Sequence, residues 1–324
     1  MRPISRNHHY VPQCYLKNFA TNRRKPKITV IDLARRQKFS SHPKNIAVER
    51  DFNSIDLPGM RSDSFENDFS SFEQKVSEAL ERILKDKAIN TNSDKVTILD
   101  FISVLAVKNP RGRRMMNEFQ NELLDKILRM SVRDEGSYWG ILEKIIGGSS
   151  LKKKNYPTYQ SFLAGINNGS FELKMTSTDS VRLELDTYMA TAPYIHARNW
   201  WVLVAKQEAG NFITSDHPVV LNWSDGRYVG GIRPPGYASQ NTEVVFPISP
   251  RIALLGGFDV KDKVVNVGST YVAAVNGKVI SRADKQIYTT SNEFDYLFDL
   301  DEGKLDGQDI LQNLRRFRND AEKS

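Results

Sequence analysis

Cysteine occurs once in this 324-residue chain, at Cys14. A disulfide within the chain needs two cysteines and a Cys-based zinc site needs more, so both are excluded. Long apolar runs are also missing. Those present are far too short to span a bilayer, and Met1-Arg2-Pro3-Ile4-Ser5-Arg6 lacks the apolar core of a secretory signal. The expectation is a cytoplasmic protein with no membrane partner. There is no GxxxxGK[ST] run and no GxGxxG following a strand pattern, which excludes nucleotide binding by those two routes. Internal repeats and long low-complexity segments are absent as well.

What remains is ordinary globular material, 40% apolar and 26% charged, in a 36.9 kDa chain. That composition argues against global disorder, and the length suffices for one large domain or two modest ones. The charge is unevenly placed. Residues 1–38 hold ten Lys/Arg against one acid, Asp32, a segment charge of +9 in a chain of net +7. A basic segment on a near-neutral body can meet phosphates, so nucleic acid is an expected partner. The same residues also read as a solvated loop, with Asn22-Arg23-Arg24-Lys25-Pro26 as its turn. Nothing in the pattern specifies an oligomeric state.

The hydrophobic period changes twice along the chain. Lys27 to Leu33 alternates as a strand, Ala34-Arg35-Arg36 reads as a turn, and Gln37 to Ser40 as the return strand of a hairpin. From Ser64 to Lys87, Phe65, Phe69, Phe72, Val76, Leu80 and Ile83 recur at helical spacing. A second helix begins at Asn92 or Ser93 and stops at Asn109-Pro110, and a third runs through Met115, Phe119, Leu123, Ile127 and Met130. Further helices are expected at 139–146, 157–168 and 178–197. Strand patterns then return at 200–205 paired with 211–214, at 243–247 and at 251–256. A long loop at 222–242, a helix at 267–283, a strand at 286–289 and a basic C-terminal helix complete the chain. The fold class is therefore α+β: terminal segments forming a mainly antiparallel sheet, with a helical block in the middle. The expected organisation is a single domain over 1–324, with an inserted helical subdomain at 64–198 as the alternative.

Several blocks together resemble one family. These are Asn7-His8-His9-Tyr10-Val11-Pro12-Gln13-Cys14-Tyr15-Leu16 with Lys17-Asn18-Phe19-Ala20, the acids Glu66 and Glu73, and Leu105 to Arg111. Phe212-Ile213-Thr214-Ser215-Asp216-His217-Pro218-Val219, Phe246-Pro247-Ile248-Ser249-Pro250-Arg251 and Val275-Asn276 continue the series. The chain is similar over essentially its whole length to the domain-of-unknown-function family numbered 4238, of mostly bacterial proteins. The resemblance implies no particular activity. Position 14, often a bulky aromatic in such sequences, is Cys here, which argues against a catalytic thiol.

The candidate chemistry lies in these blocks. His8 and His9 stand together, and Asp216 and His217 sit on a turn after a strand, a setting that fixes a reactive group. Two imidazoles and one or two carboxylates are the parts of a His/Asp metal centre and equally of a metal-free general-base site. The candidate catalytic residues are His8, His9, Glu73 and Asp216. Arg6, Arg111 and His217 are candidates for holding substrate, the arginines gripping phosphate oxygens bidentately. The candidate cofactor is a divalent metal, Mg or Mn, with His9, Glu73 and Asp216 as candidate ligands. Each group also has a bland role: His8 and His9 in packing or capping, Asp216 closing an Asx-turn ahead of Pro218, and Glu73 paired with Arg111 or Arg114. Two functions follow. One is a phosphodiester-cleaving, nuclease-like hydrolase, metal-assisted or not, in the setting of a toxin or phage-defence effector. The other is a non-catalytic module binding nucleic acid or protein, with the His/Asp motifs structural.

Overall fold

The structure is a computed structural model that describes residues 7–22, 24–50, 52, 64–146, 156–171, 175–225, 234–298 and 303–318. The chain forms two compact units. The first comprises Met1–Asn109 and Val181–Ser324, the second Pro110–Ser180.

The first unit is built on two main sheets. One joins the two ends of the chain. Strands β2 (Ile28–Asp32) and β3 (Gln37–Ser41) form the expected hairpin, with the Asp32 carboxylate accepting from the Ala34 and Arg35 amides at 3.1 and 2.8 Å. The late strand β11 (Gln286–Thr289) pairs antiparallel with β2 on one side and with the short β6 (Thr214–Ser215) on the other. The expectation that terminal segments share an antiparallel sheet is met here.

The second sheet has the order β10 (Lys263–Val267), β5 (Asn199–Ala205), β9 (Ile252–Gly257), β8 (Thr242–Ser249), β7 (Val220–Trp223). Every residue of β8 and β9 is buried, so the middle of the sheet is covered on both faces. Strand alternation divides it between two cores. Val244, Phe246, Ile252 and Leu254 pack with Val76, Leu80 and Ile83 of α2 (Ser64–Asp86) and Ile98, Phe101 and Ile102 of α3 (Asn92–Val107). Val245, Ala253 and Leu255 pack with Val272, Val275 and Val279 of α8 (Ser269–Arg282) and Ile310 and Leu314 of α9 (Ile310–Arg318). A small antiparallel pair, β1 (Asn7–His9) with β4 (Val48–Arg50), and the single-turn helix α1 (Gln13–Leu16) hold the N-terminal block on the first of these cores.

The second unit is helical. Its helices are α4 (Pro110–Ser131), α5 (Glu135–Ile146) and α6 (Tyr159–Asn167), around a small core of Val132, Tyr138 and Ile166. Pro110 stands at the first position of α4, where its missing N–H costs nothing. The helix α7 (Ser177–His196) starts in this unit, and its larger part belongs to the first. The helical unit covers Pro110–Ser180, while α2, α3 and most of α7 fall in the unit that carries the sheets.

Two local expectations are corrected. The strand at 200–205 does not pair with 211–214: β5 lies between β10 and β9. Residues 211–213 form no strand, and the Ile213 amide donates instead to the Asn276 side chain at 3.0 Å. The helix expected from 267 starts at Ser269, because Val267 ends β10, which runs parallel to β5. The second helix begins at Asn92, as expected, and Thr91 caps it, its hydroxyl accepting from the Asp94 amide at 3.1 Å.

Candidate functional site

The opening block enters as β1, with His8 opposite Glu49 and His9 opposite Val48. Successive strand side chains point to opposite faces, so the two imidazoles diverge. His8 is buried and His9 half-buried. The Tyr10 amide extends the pairing by donating to the Ala47 carbonyl at 3.0 Å. The Tyr10 phenol neighbours that of Tyr288 on β11, whose hydroxyl donates to Gln286 Oε1 at 3.0 Å. Burial first, then the field of Asp216, holds the Tyr10 proton far above its ordinary value. The opening block and the Asp216 block therefore meet, and tyrosines make the junction.

Asp216 is 3% exposed. Its Oδ1 accepts from the Asp284 amide at 2.9 Å, and its Oδ2 from the Lys285 and Gln286 amides at 2.7 and 3.0 Å. Its own amide donates to the Gln286 carbonyl at 3.0 Å. Burial raises the carboxyl to about 6, against the downward pull of the amides, with Asp284 adding to the rise. The Asx-turn expected here is not formed by Asp216. Ser215 makes the local turn, its hydroxyl bonded to the His217 carbonyl and amide at 2.9 and 3.1 Å. Asp216 reaches across the sheet to close the approach to β11. His217 stays half-buried on that turn.

The other shared blocks are knitted in the same way. The Tyr15 hydroxyl donates to the Pro247 carbonyl at 2.6 Å and lies 2.6 Å from the Thr214 hydroxyl, while its ring stacks on Phe246 at 5.1 Å. Asn276 is fully buried, accepting from Ile213 and donating to the Asn211 and Asp295 carbonyls at 2.9 and 2.8 Å. Its neighbour Gly277 permits a close approach: a Cβ there would stand 1.8 Å from the Leu297 carbonyl oxygen. Gly277→Ala is expected to destabilise the fold by about 1–3 kcal/mol through this overpacking. The midpoint of urea unfolding measures it, and an unchanged midpoint would show that the 297 segment yields freely.

The remaining candidates are placed as follows. Glu73 is half-buried on α2 beside Cys14, whose thiol is pushed up to about 12 by burial first and by Glu73 second. Such a thiol is not a nucleophile at neutral pH. Arg111 is exposed on α4 in the second unit. Arg6 and the Glu66 side chain lie outside the described residues. Among the described residues no group of three His, Cys, Asp or Glu side chains is placed to hold a metal ion, so His9, Glu73 and Asp216 do not assemble as a ligand set.

A site that the sequence reading missed lies among helices of the first unit. A cavity of about 350 Å³ is walled by Phe69 and Phe72 of α2, Val104 and Val107 of α3, and Leu185 of α7. Asp100 and Tyr188 form its polar end, with Glu184 and Lys108 also on the wall. Asp100 Oδ1 lies 2.9 Å from His196 Nε2 and accepts from the Tyr188 hydroxyl at 3.4 Å. The Lys108 ammonium sits over the Phe69 ring at 3.9 Å. The available signal was an acid, Asp100, inside the apolar stretch Ile98 to Ile102, with Tyr188 and His196 two turns apart on one helix.

Among the described residues no helix is long and apolar enough to cross a membrane. No curated protein and no solved structure matches the chain. A family model, described as protein of unknown function (DUF4238), matches residues 7–293. The blocks joined at Tyr10, Tyr15, Asp216 and Asn276 all fall inside that span, and the chain belongs to the DUF4238 family.

Proposed function

We propose that this chain is a binding module for nucleic acid in which the His8/His9 and Asp216 blocks are structural. The carrying observation is Asp216. Its two oxygens take three main-chain N–H donors, and the side chain is 3% exposed. A carboxylate so used anchors the main chain and offers a substrate little access. The partner is argued from charge. Lys17, Arg24, Lys25, Lys27, Arg35 and Arg36 are exposed within the basic segment, and such side chains bind phosphates by releasing counterions.

Fluorescence anisotropy with labelled single- and double-stranded DNA and RNA tests this reading. Binding should weaken by at least tenfold between about 50 and about 200 mM salt. Joint replacement of Arg24, Lys25 and Lys27 by alanine should weaken it further and flatten the salt slope. Absence of binding to all four probes at the lower salt would overturn it.

A second reading, a phosphodiester-cleaving hydrolase of the toxin or phage-defence kind, is favoured by one observation. A carboxyl raised to about 6 lies in the range of a general base working near neutral pH. Labelled RNA and DNA, incubated with Mg²⁺ or Mn²⁺, separate the two. Products from the wild type and none from His9→Ala support the hydrolase. Equal inertness of both removes it, and a lowered melting temperature in His9→Ala then supports the structural role.

A further inference from the structure

We propose that the cavity between α2, α3 and α7 binds a small apolar cation, an ammonium on an aromatic or branched alkyl body, with Asp100 as its counter-ion. This is independent of nucleic-acid binding and uses none of the same residues.

The shape comes from the helix positions. Asp100 lies on α3 and Lys108 follows the last residue of that helix, eight positions on, about 12 Å along the axis between the two backbone positions. Val104 and Val107 lie on the wall between them. The cavity is therefore a slot with charged ends and an apolar middle, closed by Phe69 and Phe72 on one side and Leu185 on the other. Its volume of about 350 Å³ suits a small organic molecule.

The charge comes from the groups on the wall. Asp100 and Glu184 are acids and Lys108 is the base. Two acids stand against one base on this wall, and the Lys108 ammonium is held over the Phe69 ring at 3.9 Å, while Coulomb attraction to Asp100 is strongest at contact. The acidic end therefore selects the sign of the ligand. Asp100 is also prepared for the task. Both its hydrogen bonds among the described residues, from His196 and Tyr188, go to Oδ1. They orient the carboxylate and leave Oδ2 to accept from a ligand. The Asp100 side chain is 33% exposed, which gives a ligand a way to reach it. The Tyr188 hydroxyl stands next to the same oxygen and can accept from a second ammonium hydrogen.

Isothermal titration calorimetry on the full chain tests the proposal with two probes of like shape and opposite charge, 3-phenylpropylammonium and 3-phenylpropanoate. The ammonium should bind at least tenfold more tightly than the carboxylate, a comparison that needs no variant. Asp100→Asn keeps the shape and an acceptor for His196, and should weaken the ammonium by at least tenfold. Val104→Trp fills the slot and should abolish binding, with a melting curve to show that the variant is folded. Equal or tighter binding of the carboxylate would overturn the proposal. So would an ammonium affinity unchanged in Asp100→Asn, or heat from neither probe.

Discussion

Asp216→Ala is expected to lose about 3–5 kcal/mol of folding free energy. The substitution removes the acceptor of three part-buried main-chain donors, those of Asp284, Lys285 and Gln286, at 2.7–3.0 Å. Each stranded group costs about 1–3 kcal/mol, and removal of the buried charge returns part of that sum. Urea unfolding followed by tryptophan fluorescence measures the loss. A loss below about 1 kcal/mol would mean that water replaces the carboxylate and that Asp216 is not the anchor of the β6 to β11 junction.

The pH dependence of this anchor has a definite sign. The folded-state carboxyl is raised to about 6 from an ordinary 3.8. The folded protein therefore holds the proton more tightly than the unfolded chain does. The stability contributed by the raised value is complete below about pH 4 and is lost as the pH rises through about 6. The difference amounts to about 3 kcal/mol. Asp216→Asn does not ionise and lacks this loss. The free-energy difference between wild type and Asp216→Asn should therefore move in favour of asparagine between pH 4 and pH 7. A pH-independent difference would show that the carboxyl titrates alike in both states.

Arg198→Ala should be comparably damaging, at about 3–5 kcal/mol. Arg198 is 1% exposed and stands immediately before β5. Its guanidinium donates to the Thr242 carbonyl and hydroxyl at 2.7 and 2.8 Å, the Tyr237 carbonyl at 2.8 Å and the Gly256 carbonyl at 3.4 Å, and its face lies 4.2 Å from the Phe258 ring. One side chain thus ties the start of β8, the end of β9 and the segment at 237 together. Burial lowers its pKa to about 10, so it stays charged at neutral pH. Truncation leaves a cavity and unpaired carbonyls together. Arg198→Lys should recover less than half of the loss, because an ammonium cannot reproduce the planar fork. Full recovery in the lysine variant would show that charge alone matters at this position.

Neither residue announced its role in the chain. Asp216 stood out as a candidate through its block, but its partners lie 68 to 70 residues away. Arg198 sits in Ala197-Arg198-Asn199 with no pattern around it. The same holds for Asp100 and His196, 96 residues apart and 2.9 Å distant. The strand Lys263–Val267 was missed because four of its five residues are not buried and its pairing with β5 is a parallel crossover. Residues 211–213 do not pair with β5, which β9 and β10 flank, and the Ile213 amide goes to the distant Asn276 side chain.

By itself the sequence determined the local structure: the helices from Ser64, from Asn92 or Ser93 and after Asn109-Pro110, the hairpin at 27–40, and the strands at 243–247 and 251–256, each within a few residues of the elements that form. It also carried the family, through blocks that hold the two sheets together. These are short-range facts, set by hydrophobic period, turn chemistry and proline. Tertiary structure alone decided what the blocks do. It sent His8 and His9 to opposite faces, spent both oxygens of Asp216 on main-chain amides, and placed Asp100 and Tyr188 on one cavity with His196 bonded to Asp100. The physical reason is that a polar side chain takes its role from the partner that burial leaves it, and here those partners lie tens to hundreds of residues away.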